Sequence, residues 1–335
     1  MTFSPWDLPL LSDANKYSNF QCFLESVTPI VPSERLLKSI PHESTGQEIV
    51  DCFSLSSLWK FFTKTSIYGA GVPILLNNGD GCLQYYCPSL SALQIYKQKP
   101  IVSPRRVGKR GTEKQEGGSS SDESENDEMS ISLSNMSSKS SDNTSDESDH
   151  DASCQASDPI GELYCQYNET MSPYDRIPLS EKINELAEEY PDLLKLKSSD
   201  LSPYSWIAIA WYPIYQIPLT KNVKELSACF VTFHRLSSFK EEQNKKFPFM
   251  NCVEEEHIEG ISRRLKQEKG CSVKSEIPVP PFAVATYKLN GELWMNPETA
   301  DQEKIASYLD AASSWLKLLN FQHHDFNFFM SRRRF

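Results

Sequence analysis

Four stretches of the chain hold residue types that could do chemistry. His323-His324-Asp325 places two imidazoles and a carboxylate side by side, the donor set of a small metal site. Neighbours on an extended chain point to opposite faces, however, and no other stretch nominates a third ligand. Imidazoles just after a helix also complement its negative end, which is the role expected here. His234 lies in "ACFVTFHRL" and could serve as a base for Cys229 or Cys82. No nucleophile elbow or cysteine signature accompanies it, so it is read as a satisfied strand residue. "YGAGVP" suggests a phosphate cradle, but Pro73 has no N–H to offer and the third glycine is missing; a tight turn into a strand is expected. The nine cysteines form no C-x-x-C pair. These residues nominate no catalytic group, no metal site and no cofactor.

The strongest chemical signal is a substrate signal. The segment 117–151 is about two-thirds Ser, Asp and Glu. Ser119, Ser120, Ser124, Thr144 and Ser148 each have an acidic residue three positions later, the pattern an acidophilic kinase reads. Arg105, Arg106, Lys109 and Arg110, just upstream, have the density of a nuclear import motif. A segment so poor in apolar residues cannot offset its chain entropy by burial and is expected to be disordered.

These stretches must be held by elements that the apolar periodicity outlines. Phe20, Phe23, Leu24 and Val27 recur at helical spacing behind Ser18 as N-cap, with Pro29 as the stop. Leu55, Leu58, Trp59 and Phe62 repeat the pattern, and Ile183, Leu186, Ala187 and Tyr190 form a third helical face. Val72–Leu76 and Cys82–Tyr86 read as two strands about a Gly/Asn/Asp turn, which "LSALQIY" extends beyond Pro88. Trp206–Pro218, "WIAIAWYPIYQIP", is apolar on both faces. It is expected to be a central strand covered on both sides, with its two alanines admitting a helix and regular pairing ending near Pro213. "FAVATYKLNGELW" reads as a hairpin about Asn290-Gly291. The last helix is expected to start from Asn296 as N-cap with Pro297 in its first turn, and to run through Ile305, Tyr308, Leu309, Ala312, Trp315, Leu316 and Leu319.

Helices and hairpins without regular alternation imply an α+β single domain with a mainly antiparallel sheet flanked by helices. Residues 15–100 form its first part, and 159–236 with 281–330 its second. The acidic linker 101–158 interrupts it, and 237–280 is a flexible charged insertion.

"SNFQCFLESVTPIVP", "YGAGVPILLN", "LQYYCPSLSALQIY", "SWIAIAWYPIYQIP", "ACFVTFHRL" and "WLKLLNFQHHDFNFFMSRR" occur in an order that resembles a plant family known as domain of unknown function 789. The resemblance covers both structured parts and implies a Ser/acidic linker between them. It implies no activity, cofactor or catalytic residue. The resemblance implies an acidic–basic pair where this chain has Gln21-Cys22, and a proline where it has His324.

A net charge of -11 and a pI near 5.2 argue against a general nucleic-acid surface. The opening "MTFSPWDLPLLSD" has no signal-peptide pattern, and the longest apolar run is too short to span a membrane. An intracellular soluble protein of nucleus or cytoplasm is expected, with no membrane contact. The reading is a non-enzymatic interaction or regulatory protein. It would meet protein partners through Tyr68, Tyr85, Tyr86, Tyr212 and Tyr215, while an acidophilic kinase would act on the linker. The alternatives are an enzyme with a pocket near Gly69–Pro73 and Trp211–Pro218, and an RNA-associated protein using the "SRRRF" tail.

Overall fold

The computed structural model describes residues 17–39, 47–98, 160–219, 224–238, 275–296, 298 and 300–332. In chain order the elements are α1 (Asn19–Val27), β1 (Ile30–Pro32), β2 (Glu34–Ser39), β3 (Gln47–Cys52), α2 (Leu55–Tyr68), β4 (Ala70–Leu75), β5 (Gly81–Lys97) and β6 (Glu162–Asn168). There follow α3 (Leu179–Glu189), β7 (Trp206–Ile217), β8 (Cys229–Arg235), β9 (Glu276–Pro278), β10 (Pro281–Tyr287), α4 (Gly291–Trp294), α5 (Asp301–Leu318) and α6 (His324–Ser331).

The main sheet is antiparallel, with order β10-β8-β7-β5-β4 and β6 also paired to β5. β5 is long because its outer edge carries two neighbours in succession. β4 pairs with Gly81–Tyr86, and β6 pairs with Ala92–Lys97. Pro88 falls in the interval between them, where that edge is incomplete and a missing N–H is tolerated. β1 with β9, and β2 with β3, form two small antiparallel pairs. The architecture is the expected α+β one.

β7 shows why the sheet has a core on each face. Ile207, Ile209 and Trp211 belong to one buried cluster, and Trp206, Ala208 and Ala210 to the other. The first face takes α1, whose capping box joins Ser18 to Gln21, together with α2 and α4. The second takes α5 and α6, which lie over β10. Small residues line that contact: Ala208, Ala210, Ala283 and Ala285 on the strands, Ala311 and Ala312 on α5. β8 pairs with β7 only as far as Trp211, so among the described residues β7 has a neighbour on one side only beyond Pro213, which suits a residue with no N–H to donate.

Two local expectations are corrected. Asn290-Gly291 does not turn a hairpin. The Asn290 side chain instead caps α4 by accepting from Glu292 N at 3.2 Å. Burial of Trp294 against Phe23, Phe230 and Tyr86 holds this segment on the core, where a returning strand would have carried it away. The last helix begins at Asp301 and not at Asn296. Asn296 accepts from Glu298 N at 2.9 Å, and its own N–H is held by Asp301 Oδ2 at 3.0 Å, forming a turn before the helix. Pro297 lies outside the described residues. Within the stretch read as a charged insertion, β9 is ordered against β1, and residues 239–274 lie outside the described set.

Candidate functional site

The second face of the sheet is only half covered. α5 and α6 occupy the β10–β8–β7 side, and among the described residues no helix covers the corner made by β4, the first half of β5 and the end of β7. Alternation along β4 turns Ala70, Val72 and Ile74 into the core, leaving Gly71, Pro73 and Leu75 outward; along β5 it leaves Leu83, Tyr85 and Cys87 outward. The β5–β7 register steps from Tyr85↔Tyr215 to Tyr86↔Pro213, so Ile214 is an extra residue in β7. This bulge places Tyr215 opposite Tyr85, and their rings stack at 4.6 Å with 19° between planes.

Tyr85 lies flat because β4 has no side chain beneath it. A Cβ at Gly69 (φ +75°) would stand 3.2 Å from Tyr85 Cδ1, and one at Gly71 would stand 3.3 Å from Tyr85 Cε1. Ile214, whose Cδ1 would stand 3.5 Å from a Cβ at Gly69, and Tyr215 are 53% and 45% exposed; Tyr68 and Ile67, which precede Gly69 at the end of α2, are each 67% exposed, and Leu219, two residues past β7, is 84% exposed. Ala70–Leu75, Gly81–Cys87 and Tyr212–Ile217 contain no charged residue. The adjoining edge of β4 is closed to a further strand: Pro73 has no N–H, and the side-chain amide of Asn19 takes both Leu75 N and Leu75 O at 2.8 Å. A ligand of this surface must therefore pack on side chains.

Beside it lies a buried polar group. Ser91 is the extra residue of a second bulge in β5, between Leu90 and Ala92. Its hydroxyl donates to Asp325 Oδ2 at 2.6 Å and lies 3.2 Å from His323 Nε2. Serine, histidine and aspartate in contact invite comparison with a hydrolase triad, but the protons run the wrong way. His323 Nδ1 accepts Phe326 N–H at 2.9 Å, so Nε2 carries the proton and donates to Ser91, which donates to Asp325. No imidazole lone pair faces the hydroxyl, as a general base would need.

The acid is committed as well. Arg176 Nη2 and Nη1 meet Asp325 Oδ1 and Oδ2 at 2.7 and 2.8 Å, and the two side chains are 2% and 5% exposed. The other guanidinium donors go to Met171 O and to Tyr212 Oη, so all five N–H groups are used. Burial alone would raise the Asp325 pKa, but the hydrogen bonds and charge of Arg176, with Ser91, hold it below the usual carboxylate value. Burial pushes His323 down to about 4, against the opposing pull of Asp325. The cluster locks the start of α6 to β5 and to the loop that follows β6.

The pH dependence follows from these directions. An unfolded histidine takes a proton near pH 6.5 and folded His323 near 4, so the unfolded chain binds more protons between them. His323 stabilises fully above about pH 6.5, and this contribution, on the order of 3 kcal/mol, is lost as pH falls toward 4. The Asp325 contribution is present above about pH 4 and is lost below that. Denaturant midpoints recorded from pH 7.5 to 4.5 should fall steeply, and His323→Asn should flatten the curve.

Residues 18–329 match the family model described as a protein of unknown function, DUF789. The chain belongs to that family. No curated protein and no solved structure matches it.

Of the surface tyrosines expected from the sequence, the DUF789 chain stacks Tyr85 on Tyr215, and Tyr68 is exposed one residue before Gly69, over which Tyr85 packs. Tyr212 is half-buried, 5.7 Å from the Arg176 guanidinium. Tyr86 does not belong to the surface. It is fully buried against Phe23 and Phe230, because strand alternation sends it to the face opposite Tyr85. Burial raises its hydroxyl pKa well above the usual value, and among the described residues Tyr86 Oη has no hydrogen-bond partner. Tyr86→Phe should therefore be neutral or stabilising by about 1–3 kcal/mol in denaturant melts.

The expectation that His323 and His324 complement a helix C-terminus is also corrected: both stand at the N-terminus of α6, with His323 neutral as its cap. His234 is a satisfied core residue, with Nδ1 2.8 Å from Val279 O and Nε2 2.8 Å from Thr232 Oγ1. Gly69–Pro73 and Trp211–Pro218, the segments of the pocket expected for an enzyme, flank the first half of β5, and Tyr85 occupies the space above the glycines. Among the described residues, no group of three His, Cys, Asp or Glu could hold a metal, and no helix is long and apolar enough to cross a membrane. Ser119, Ser120, Ser124, Thr144, Ser148, Arg105, Arg106, Lys109 and Arg110 lie outside the described residues. Sequence reasoning missed Ser91 and Arg176, which no spacing connects to Asp325.

Proposed function

We propose that this chain is a non-enzymatic interaction protein whose uncovered β4–β5–β7 face binds an apolar segment of a protein partner. The stacked Tyr85–Tyr215 pair on an uncharged, partly exposed sheet corner carries the reading. Tyrosine-rich patches depleted in charge resemble the centres of protein interfaces, where rigid rings offer apolar area at low entropic cost. The proton order of Ser91, His323 and Asp325, which leaves no base for a nucleophile, supports a non-catalytic role. In this reading the segment holding Ser119, Ser120, Ser124, Thr144 and Ser148 tunes the contact, each phosphate an acidophilic kinase adds contributing about -1.5 to -2 charge.

Ile214→Asp and Tyr68→Ser alter exposed side chains and should leave the melting midpoint within about 1–2 °C. Each should reduce capture of a stoichiometric partner from native tissue by tenfold or more. Full capture by both variants would overturn the reading, whereas loss only on removal of residues 112–158 would move the contact to the acidic segment.

A further inference from the structure

The exposed face has a candidate occupant in the same chain. α1 starts at the edge of this corner, where Asn19 holds Leu75 N and O at 2.8 Å. Leu75, Pro73 and Leu83 lead outward from that point toward the Tyr85–Tyr215 pair. The sixteen residues before Tyr17, "MTFSPWDLPLLSDANK", lie outside the described set and precede the family match. Phe3, Trp6, Leu8, Leu10 and Leu11 make this stretch rich in large apolar side chains, whereas 103–158 contains no aromatic residue and 239–274 is densely charged. Four residues of strand separate Leu75 from Gly71, about 13 Å, and extended chain covers about 3.3 Å per residue, so residues 3–11 reach the face with length to spare.

Size and chemistry favour a short segment. Aromatic side chains present roughly 150–250 Å² each. Even counting Tyr68, Ile67 and Leu219 together with Tyr215 and Ile214, the exposed side-chain area totals on the order of 500 Å², below the roughly 800 Å² per partner of a stable interface between two folded proteins. Pro5 and Pro9 predispose the segment to extended conformations, the form that aromatic-lined surfaces take up at least entropic cost.

We propose that residues Phe3–Leu11 pack in cis on the Tyr85–Tyr215 face, shielding Trp6 and competing with the partner for it. This deepens the preceding reading by naming the segment that regulates the same face, but it needs no partner to be tested. Five of the six tryptophans are internal: Trp59 is 5% exposed, and Trp206, Trp211, Trp294 and Trp315 are 0% exposed. Acrylamide quenching of the full chain, with Trp6→Phe as the reference, therefore isolates Trp6.

The Trp6 quenching slope in the full chain should be at least threefold below that of a synthetic peptide of residues 1–16. Ile214→Asp and Tyr68→Ser should each raise it to the peptide value, with melting midpoints confirming that both variants stay folded. A wild-type slope equal to the peptide's would overturn the proposal, as would a low slope indifferent to both substitutions. Shielding that disappears on dilution would assign the segment to a second copy and overturn it equally. If Trp6 is freely quenched while Ile214→Asp still abolishes partner capture, the cis occupant fails and the docking face stands.

Discussion

Arg176→Met is expected to destabilise the chain by about 3–5 kcal/mol, lowering the melting midpoint by roughly 6–20 °C. The size comes from what remains: Asp325, 4% exposed, would keep its charge with Ser91, the neutral His323 and, 3.6 Å from Oδ1, the ring of His324, and with no guanidinium to balance it. Losing one partner of a buried pair costs more than the pair ever contributed, because the desolvation of the survivor goes uncompensated. The deficit should shrink below about pH 5, where the abandoned carboxyl can take a proton. Arg176→Met/Asp325→Asn should recover a large part of the loss at pH 7, since a neutral amide can still accept from Ser91. Arg176→Lys should not, because an ammonium cannot make the paired contact with Asp325 and also reach Met171 O and Tyr212 Oη. Chemical denaturation of the four proteins at pH 7 and pH 4.5 provides the measurement, and equal stability of wild type and Arg176→Met at pH 7 would refute the role given to this pair.

Phe23→Ala should cost a similar amount, about 3–5 kcal/mol. Phe23 is fully buried and joins four rings from four elements: it stacks on Phe230 of β8 at 3.8 Å and meets Tyr86 of β5, Trp211 of β7 and Trp294 of α4 edge-on. Removing it opens a cavity whose walls are rigid aromatic faces, which relax poorly into a void. Phe23→Leu should restore most of the transfer free energy and lose only the ring geometry, on the order of 1 kcal/mol per strong pair. Near-ultraviolet circular dichroism should register both substitutions, since Trp211 and Trp294 lose the same neighbour.

The elements that sequence reasoning reached are those where one periodicity decides the outcome. Trp206–Trp211 reads as a two-faced strand because residues of both parities are apolar, and the two core clusters divide along that alternation. α1 reads from Ser18 to Val27 because a capping residue and a 3.6-residue stripe agree. Asn290-Gly291 shows where local preference gives way: the dipeptide favours a hairpin, but burying Trp294 and Leu293 is worth more than one turn type. The surface was half legible. Tyr85 and Tyr86 are adjacent on a strand and cannot share a face, so alternation alone separates them once the strand is recognised. The bulge at Ile214 that sets Tyr215 opposite Tyr85 leaves no comparable mark in the sequence. The pairing of Arg176 with Asp325 joins residues 149 positions apart and depends on the completed sheet.

That separation has a consequence for biosynthesis. β5 is a central strand, yet its neighbour β7 begins more than a hundred residues later and the helix that closes over Ser91 is the last of the described elements. With ribosomes adding about 5–20 residues per second, the apolar faces of β5 wait on the order of 10–50 s between emergence and the arrival of α6. A strand left so long without its neighbours is exposed to wrong pairing, and a message truncated before codon 325 would yield a product whose Arg176 lacks its bidentate partner.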